Sequence, residues 1–168
     1  TTGEWSIGIT GNANPSRAEV FSKVVEIINR TNGYFEREIA VTLELVNGAD
    51  MLIYVNKDTD PYTCNSNMDC LLDESHTAIN NRIGVTNYDI GHILCTAGGG
   101  LAALNSTCSN SSKGRAASTI YSTAAVSTLM HEMGHQMSAS HTFSANTGGC
   151  NGNGMPDERI LRRPPSVC

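Results

Sequence analysis

At 168 residues the chain is long enough for one domain with a buried core. Hydrophobic residues make up 39% of it and charged residues 16%, yet no charge block or low-complexity tract marks a disordered segment. The formal charge of −5 argues against a nucleic-acid partner, which needs a basic face, and no apolar run approaches the roughly 18 residues of a membrane-spanning helix.

Along the chain, Trp5, Ile7 and Ile9 alternate with Ser6, Gly8 and Thr10, which predicts a half-buried strand over 5–10. Ser16 followed by Glu19 has capping-box spacing, and Val20, Phe21, Val24, Val25, Ile27 and Ile28 continue as a helical apolar stripe. Asn32-Gly33 is expected to end that helix. Ile39, Val41, Leu43 and Leu45 alternate with polar or small residues and predict a second strand; the apolar run 51–55 predicts a third. Residues 57–73 read as a polar loop and 74–82 as a short helix. His92-Ile93-Leu94-Cys95 and Ala97-Gly98-Gly99-Gly100-Leu101-Ala102 predict a strand at one or both ends with a glycine turn or bulge between. After a loop at 109–118, residues 124–137 form the longest helix-compatible run, with Ala125, Val126, Leu129, Met130 and Met133 on its apolar side. Beyond His141 no regular element is evident. Strands interspersed with helices point to one layered α/β (α+β) domain spanning 1–168.

The six cysteines are Cys64, Cys70, Cys95, Cys108, Cys150 and Cys168. None has CxxC spacing, so a zinc ribbon or thioredoxin-like motif is not expected. An even number in loop-like stretches suits a disulfide framework, and the sequential pairing 64–70, 95–108, 150–168 is preferred among the alternatives. It implies an oxidising compartment and a secreted, extracellular protein.

Residues 131–141 read His-Glu-Met-Gly-His-Gln-Met-Ser-Ala-Ser-His and hold three of the five histidines. Positions i and i+4 share a helix face about one turn apart, so His131 and His135 can grip one ion. Glu132 points in a neighbouring direction, where it can reach a metal-bound water without ligating the metal. His141 can join only if the helix breaks after His135, because ten residues of unbroken helix would carry it about 15 Å from His131. Three neutral nitrogens with a fourth position left for water suit one catalytic Zn2+ ion. Such a site would acidify the water and polarise a peptide carbonyl, with Glu132 as general base passing the proton to the leaving amine.

His-Glu-x-x-His-x-x-x-x-x-His resembles the zinc signature of the metzincin clan of metallopeptidases. Asn87-Tyr88-Asp89-Ile90-Gly91-His92, the glycine-rich 97–102 and His141-Thr142-Phe143 make the chain more similar to the reprolysin (adamalysin-like) branch, in its bacterial secreted form. The resemblance covers about residues 4–150. It implies a metzincin-like twisted mixed sheet packed with a long N-terminal helix and an active-site helix. An upper subdomain would run over 1–137, and a short, irregular, truncated or remodelled lower one over 138–168. It also implies His131, His135 and His141 as ligands, Glu132 as the base, and a monomeric endopeptidase that binds protein or peptide substrates in extended form against the sheet edge near 93–104.

Two positions depart from the clan pattern. Ser138 stands where the clan has the glycine that takes a left-handed bend; the bend is expected at Ser138 nonetheless, at a cost of about 1 kcal/mol. Met155 is the one methionine after His141 and lies in a context unlike the clan's methionine turn. His76 and His92 read as structural. Asp58, Asp60, Asp69, Asp73 and Glu74 admit a calcium site, though a solvated acidic loop explains them more simply. The alternative to a peptidase is a non-catalytic zinc-binding or protein-interaction module on the same fold, against which Glu132 argues.

Overall fold

The computed structural model describes residues 1–141. Helices α1 (Gly3–Thr10), α2 (Arg17–Ile39), α3 (Met68–Arg82) and α4 (Ser127–Gln136) surround a small mixed sheet of β1 (Ile93–Cys95), β2 (Gly100–Ala102) and β3 (Ala116–Thr119). The sheet order is β1-β3-β2, with β1 parallel and β2 antiparallel to β3. This is an α+β fold of the metzincin-like kind, and α4 packs on β3 and β2.

Three expected strands are absent, each for a local reason. Residues 5–10 belong to α1: the Thr2 hydroxyl caps the helix by accepting from Trp5 N–H (3.2 Å), and Gly11 closes it at φ 66°. Trp5 is then buried, and its indole N–H donates to the Ile120 carbonyl (2.8 Å). The segment after α2 keeps its alternation, with Val41 and Leu43 packed on the core and Thr42 and Glu44 exposed. It has no ladder partner because the Asn32 side chain supplies both bonds at Leu43, accepting from its N–H and donating to its C=O, each at 2.8 Å. The run at 51–55 is partly a 3-10 turn (Ala49–Leu52). Beyond it, the Tyr54 backbone bonds to the hydroxyls of Thr1 (3.3 Å) and Ser6 (2.6 Å) instead of to a strand.

The helices run longer or shorter than expected. α2 passes through Asn32-Gly33 to Ile39, since Asn32 is held by Leu43 within the helix and Ala40 takes the left-handed cap at φ 56°. α3 begins at Met68, where the Asn67 side chain accepts from Cys70 N–H. The Cys64–Cys70 disulfide joins the preceding loop to its first turn, with a Cα–Cα distance of 5.7 Å.

The expected 95–108 disulfide does not form. Cys95 pairs in register with Thr119, whereas Cys108 follows β2 past Ala102, which pairs with Ala116 at the opposite end of the sheet. Cys95 is a buried free thiol beside Met68 (3.9 Å), and Cys108 is itself disulfide-bonded. The expected 150–168 pair, Met155 and the C-terminal tail lie outside the described residues.

Four of the five acidic residues of 58–74 are engaged by protein groups. Asp60 accepts from the backbone N–H of Gly3 (2.7 Å) and Tyr62 (3.0 Å). Glu74 accepts from Thr63 and Cys64, Asp73 pairs with Arg115, and Asp58 pairs with Lys57. Each of these four carboxylates already has a protein donor, so nothing here supports a calcium site.

Candidate metal centre

Helix α4 presents His131 and His135 one turn apart on one face, as their spacing requires. After Gln136 the chain turns sharply. The Met137, Ser138 and Ala139 N–H groups donate back to the carbonyls of Met133, His135 and Gly134, and Ser138 adopts φ 79°. The left-handed bend therefore falls on Ser138, where the sequence led us to expect it, and it returns His141 to the helix.

The three Nε2 atoms form a nearly equilateral triangle: His131 to His135 3.0 Å, His131 to His141 3.0 Å, and His135 to His141 3.1 Å. Two ligands of a tetrahedral zinc with 2.0–2.1 Å bonds stand about 3.3–3.4 Å apart, within a few tenths of these edges. The His135 Nδ1–H donates to the Ala139 carbonyl (2.6 Å), which fixes its tautomer and turns the Nε2 lone pair toward the other two rings. Three ring nitrogens so close cannot all be satisfied by one another, and a shared cation resolves the conflict. These three residues could hold a metal ion, and the donor set of three imidazoles suits zinc.

Glu132 is buried (6% exposed), and its side chain lies over Gly100 at the start of β2. A Cβ at Gly100 would come within 2.6 Å of the Glu132 Cγ and Oε1, so a larger residue there would require the carboxylate to move. The strand is reached through Gly98 and Gly99, both at positive φ (88° and 71°). Their turn is fastened to β3 by Gly98 N–H to the Thr119 hydroxyl and Thr119 N–H to the Gly99 carbonyl, each 2.8 Å. The opposite edge of β2 has no strand partner among the described residues.

The buried side of α4 carries a second polar group that the motif does not announce. Gln136, fully buried, donates its two amide hydrogens to the carbonyls of Gly91 (3.1 Å) and Lys113 (3.2 Å). Its Oε1 must then accept from His92 Nδ1–H (3.2 Å), which leaves His92 Nε2 to accept from the Ser118 hydroxyl (2.9 Å). Burial pushes the His92 pKa down to about 4, so the ring is neutral in this network despite the opposing hydrogen bond to Gln136. His92 is structural, as expected, and so is His76, whose Nδ1 accepts from Gly114 N–H (3.3 Å). Gly100 and the buried network were not foreseen as parts of the centre. A cavity of about 670 Å³ behind α4 is lined by Leu129, Met133 and Met137 and borders none of the three ligand candidates.

Three imidazoles on a helix and the bend after it, with a carboxylate beside a sheet edge, form a histidine group that could hold a metal ion, arranged as in a metallopeptidase. Residues 21–142 match the model of metallo-peptidase family M12B, reprolysin-like, a span that includes all three histidines. The chain belongs to this reprolysin-like family of zinc-dependent metallopeptidases. Among curated proteins no relative matches it.

Proposed function

We propose that the chain is a secreted zinc endopeptidase in which His131, His135 and His141 hold the metal and Glu132 is the general base. The observation that carries the reading is the convergence of three Nε2 atoms to within 3.1 Å of one another, one residue away from a buried carboxylate. Zinc, when bound, supplies a Lewis acid that acidifies water and polarises a peptide carbonyl.

The protein's own groups do the rest. The edge of β2 that has no strand partner among the described residues can take an extended peptide as an added antiparallel strand, which would lay the scissile bond across Glu132 and the histidines. Glu132 takes a proton as the water oxygen bonds to the carbonyl carbon. It then delivers that proton to the amide nitrogen as the C–N bond breaks. Burial against Gly100 holds the carboxylate in one place for both transfers. The Cys64–Cys70 disulfide supports the extracellular assignment, and a monomer acting on unstructured protein or peptide segments is the simplest state consistent with an open edge.

Cleavage of casein by the wild-type chain and by Glu132→Ala, with zinc measured on both, tests the proposal. A peptidase loses cleavage in the variant while retaining about one zinc per chain. Equal zinc in both with no cleavage by either would leave the non-catalytic binding module in its place.

A further inference from the structure

The bend that returns His141 has an unusual partner. Ser138, at φ 79°, is a non-glycine residue in the left-handed region, and its hydroxyl donates to the Asn105 Oδ1 at 2.5 Å. Asn105 lies 33 residues away in sequence, in the loop after β2, and is itself left-handed at φ 56°. The same loop closes the end of α4. Asn105 N–H donates to the His135 carbonyl (2.9 Å), and Thr107 donates to the Gln136 carbonyl from both N–H (3.1 Å) and Oγ1 (3.0 Å). The loop thus grips the last turn of the metal-carrying helix by its carbonyls and the bend by its side chain.

We propose that Asn105 is a positioning residue of the metal centre. It holds Ser138 in the left-handed conformation and thereby sets where His141 meets His131 and His135. A glycine in this place adopts the bend without help. Serine pays a steric penalty for it, and its hydroxyl gives the chain a means of stabilising that conformation that glycine lacks. The Ala139 carbonyl, which orients His135 through Nδ1, follows Ser138 directly, so the same contact steadies two of the three candidate ligands. The inference rests on the zinc site proposed above.

The test is a double-mutant cycle read as zinc affinity, by competition with a chelator, alongside the thermal midpoint of the zinc-free protein. Asn105→Gly removes the acceptor without straining φ 56°, and Ser138→Ala removes the donor while keeping the Cβ. Each is expected to weaken zinc binding about five- to tenfold, the worth of one net hydrogen bond, and the double variant no further than either single one. On a Ser138→Gly background, where the bend needs no partner, Asn105→Gly is expected to change zinc affinity by less than about twofold. Additive losses in the cycle, or single variants that bind zinc as wild type does, would overturn the role of Asn105 and leave the metal site standing. A fall in the zinc-free thermal midpoint with zinc affinity unchanged would likewise reduce Asn105 to a structural residue. A wild-type chain that binds no zinc would overturn the metal site and this inference together.

Discussion

The two sides of α4 hold polar groups in opposite ways. On the open side, His131 is exposed and His135 half-buried, and their Nε2 atoms face each other and His141 with no hydrogen to share among all three. On the buried side, Gln136 is closed off from water and His92 is half-buried behind it, and every hydrogen-bonding atom of the Gln136 amide is matched to a protein partner. The open side could be completed by a metal ion from solution; the buried side is matched by protein groups. The helix is fixed by one set of groups so that the other can remain reactive. Glu132 stands between the two, buried like Gln136 yet next to the open triangle.

The largest effect should come from the open side. Glu132→Gln keeps the shape and removes the base, and a loss of about 10²–10⁴-fold in peptide cleavage is expected with zinc retained, read by peptidase assay and metal analysis. A variant that cleaves within a few-fold of wild type would end the claim that this carboxylate moves the proton. On the buried side, Gln136→Leu leaves the Gly91 carbonyl and the His92 N–H without partners, while the Lys113 carbonyl keeps the Gly91 N–H (2.6 Å). A destabilisation of about 2–4 kcal/mol by urea titration is expected.

Gly100→Ala probes the contact between the sides. The added Cβ must displace the Glu132 carboxylate, so cleavage should fall about a hundredfold while zinc content holds. A pH dependence probes the buried side once more, and its effect vanishes near neutral pH. Burial keeps the His92 pKa at about 4 against an ordinary 6.5, so between those values the unfolded chain binds a proton that the folded one excludes. The stability this residue allows is complete above about pH 6.5 and declines as pH falls toward 4, by at most about 1.4 kcal/mol per pH unit. Urea titrations of zinc-free wild type and His92→Gln over that range isolate the slope, since all other groups are common to both. Parallel curves would show that His92 is not buried as a neutral ring.

The chemistry was more legible in the sequence than the scaffold. A ligand motif is a spacing on one helix, and the return of His141 calls for a break after His135, which Ser138 takes at φ 79°. The strands at 5–10, 39–45 and 51–55 misled because an alternating pattern reports a half-buried segment without saying what its backbone bonds to. Asn32, Thr1 and Ser6 are side chains that occupy those backbone groups, and Thr2 with Gly11 caps a helix over the first of the three segments. The sheet that does form is short and central, and its glycine turn at 98–99 was legible from composition. The fit of Gly100 to Glu132 and of Asn105 to Ser138 could not be read, because each joins residues more than 30 positions apart with no motif to connect them.

The central claim is that the three Nε2 atoms are the ligands of one zinc ion, and X-ray absorption at the zinc edge of the purified chain addresses it most directly. The account predicts three imidazole nitrogens at about 2.0–2.1 Å and one further light ligand, with the bound zinc lost in His135→Ala. A spectrum dominated by sulfur, or zinc retained in full by that variant, would contradict it.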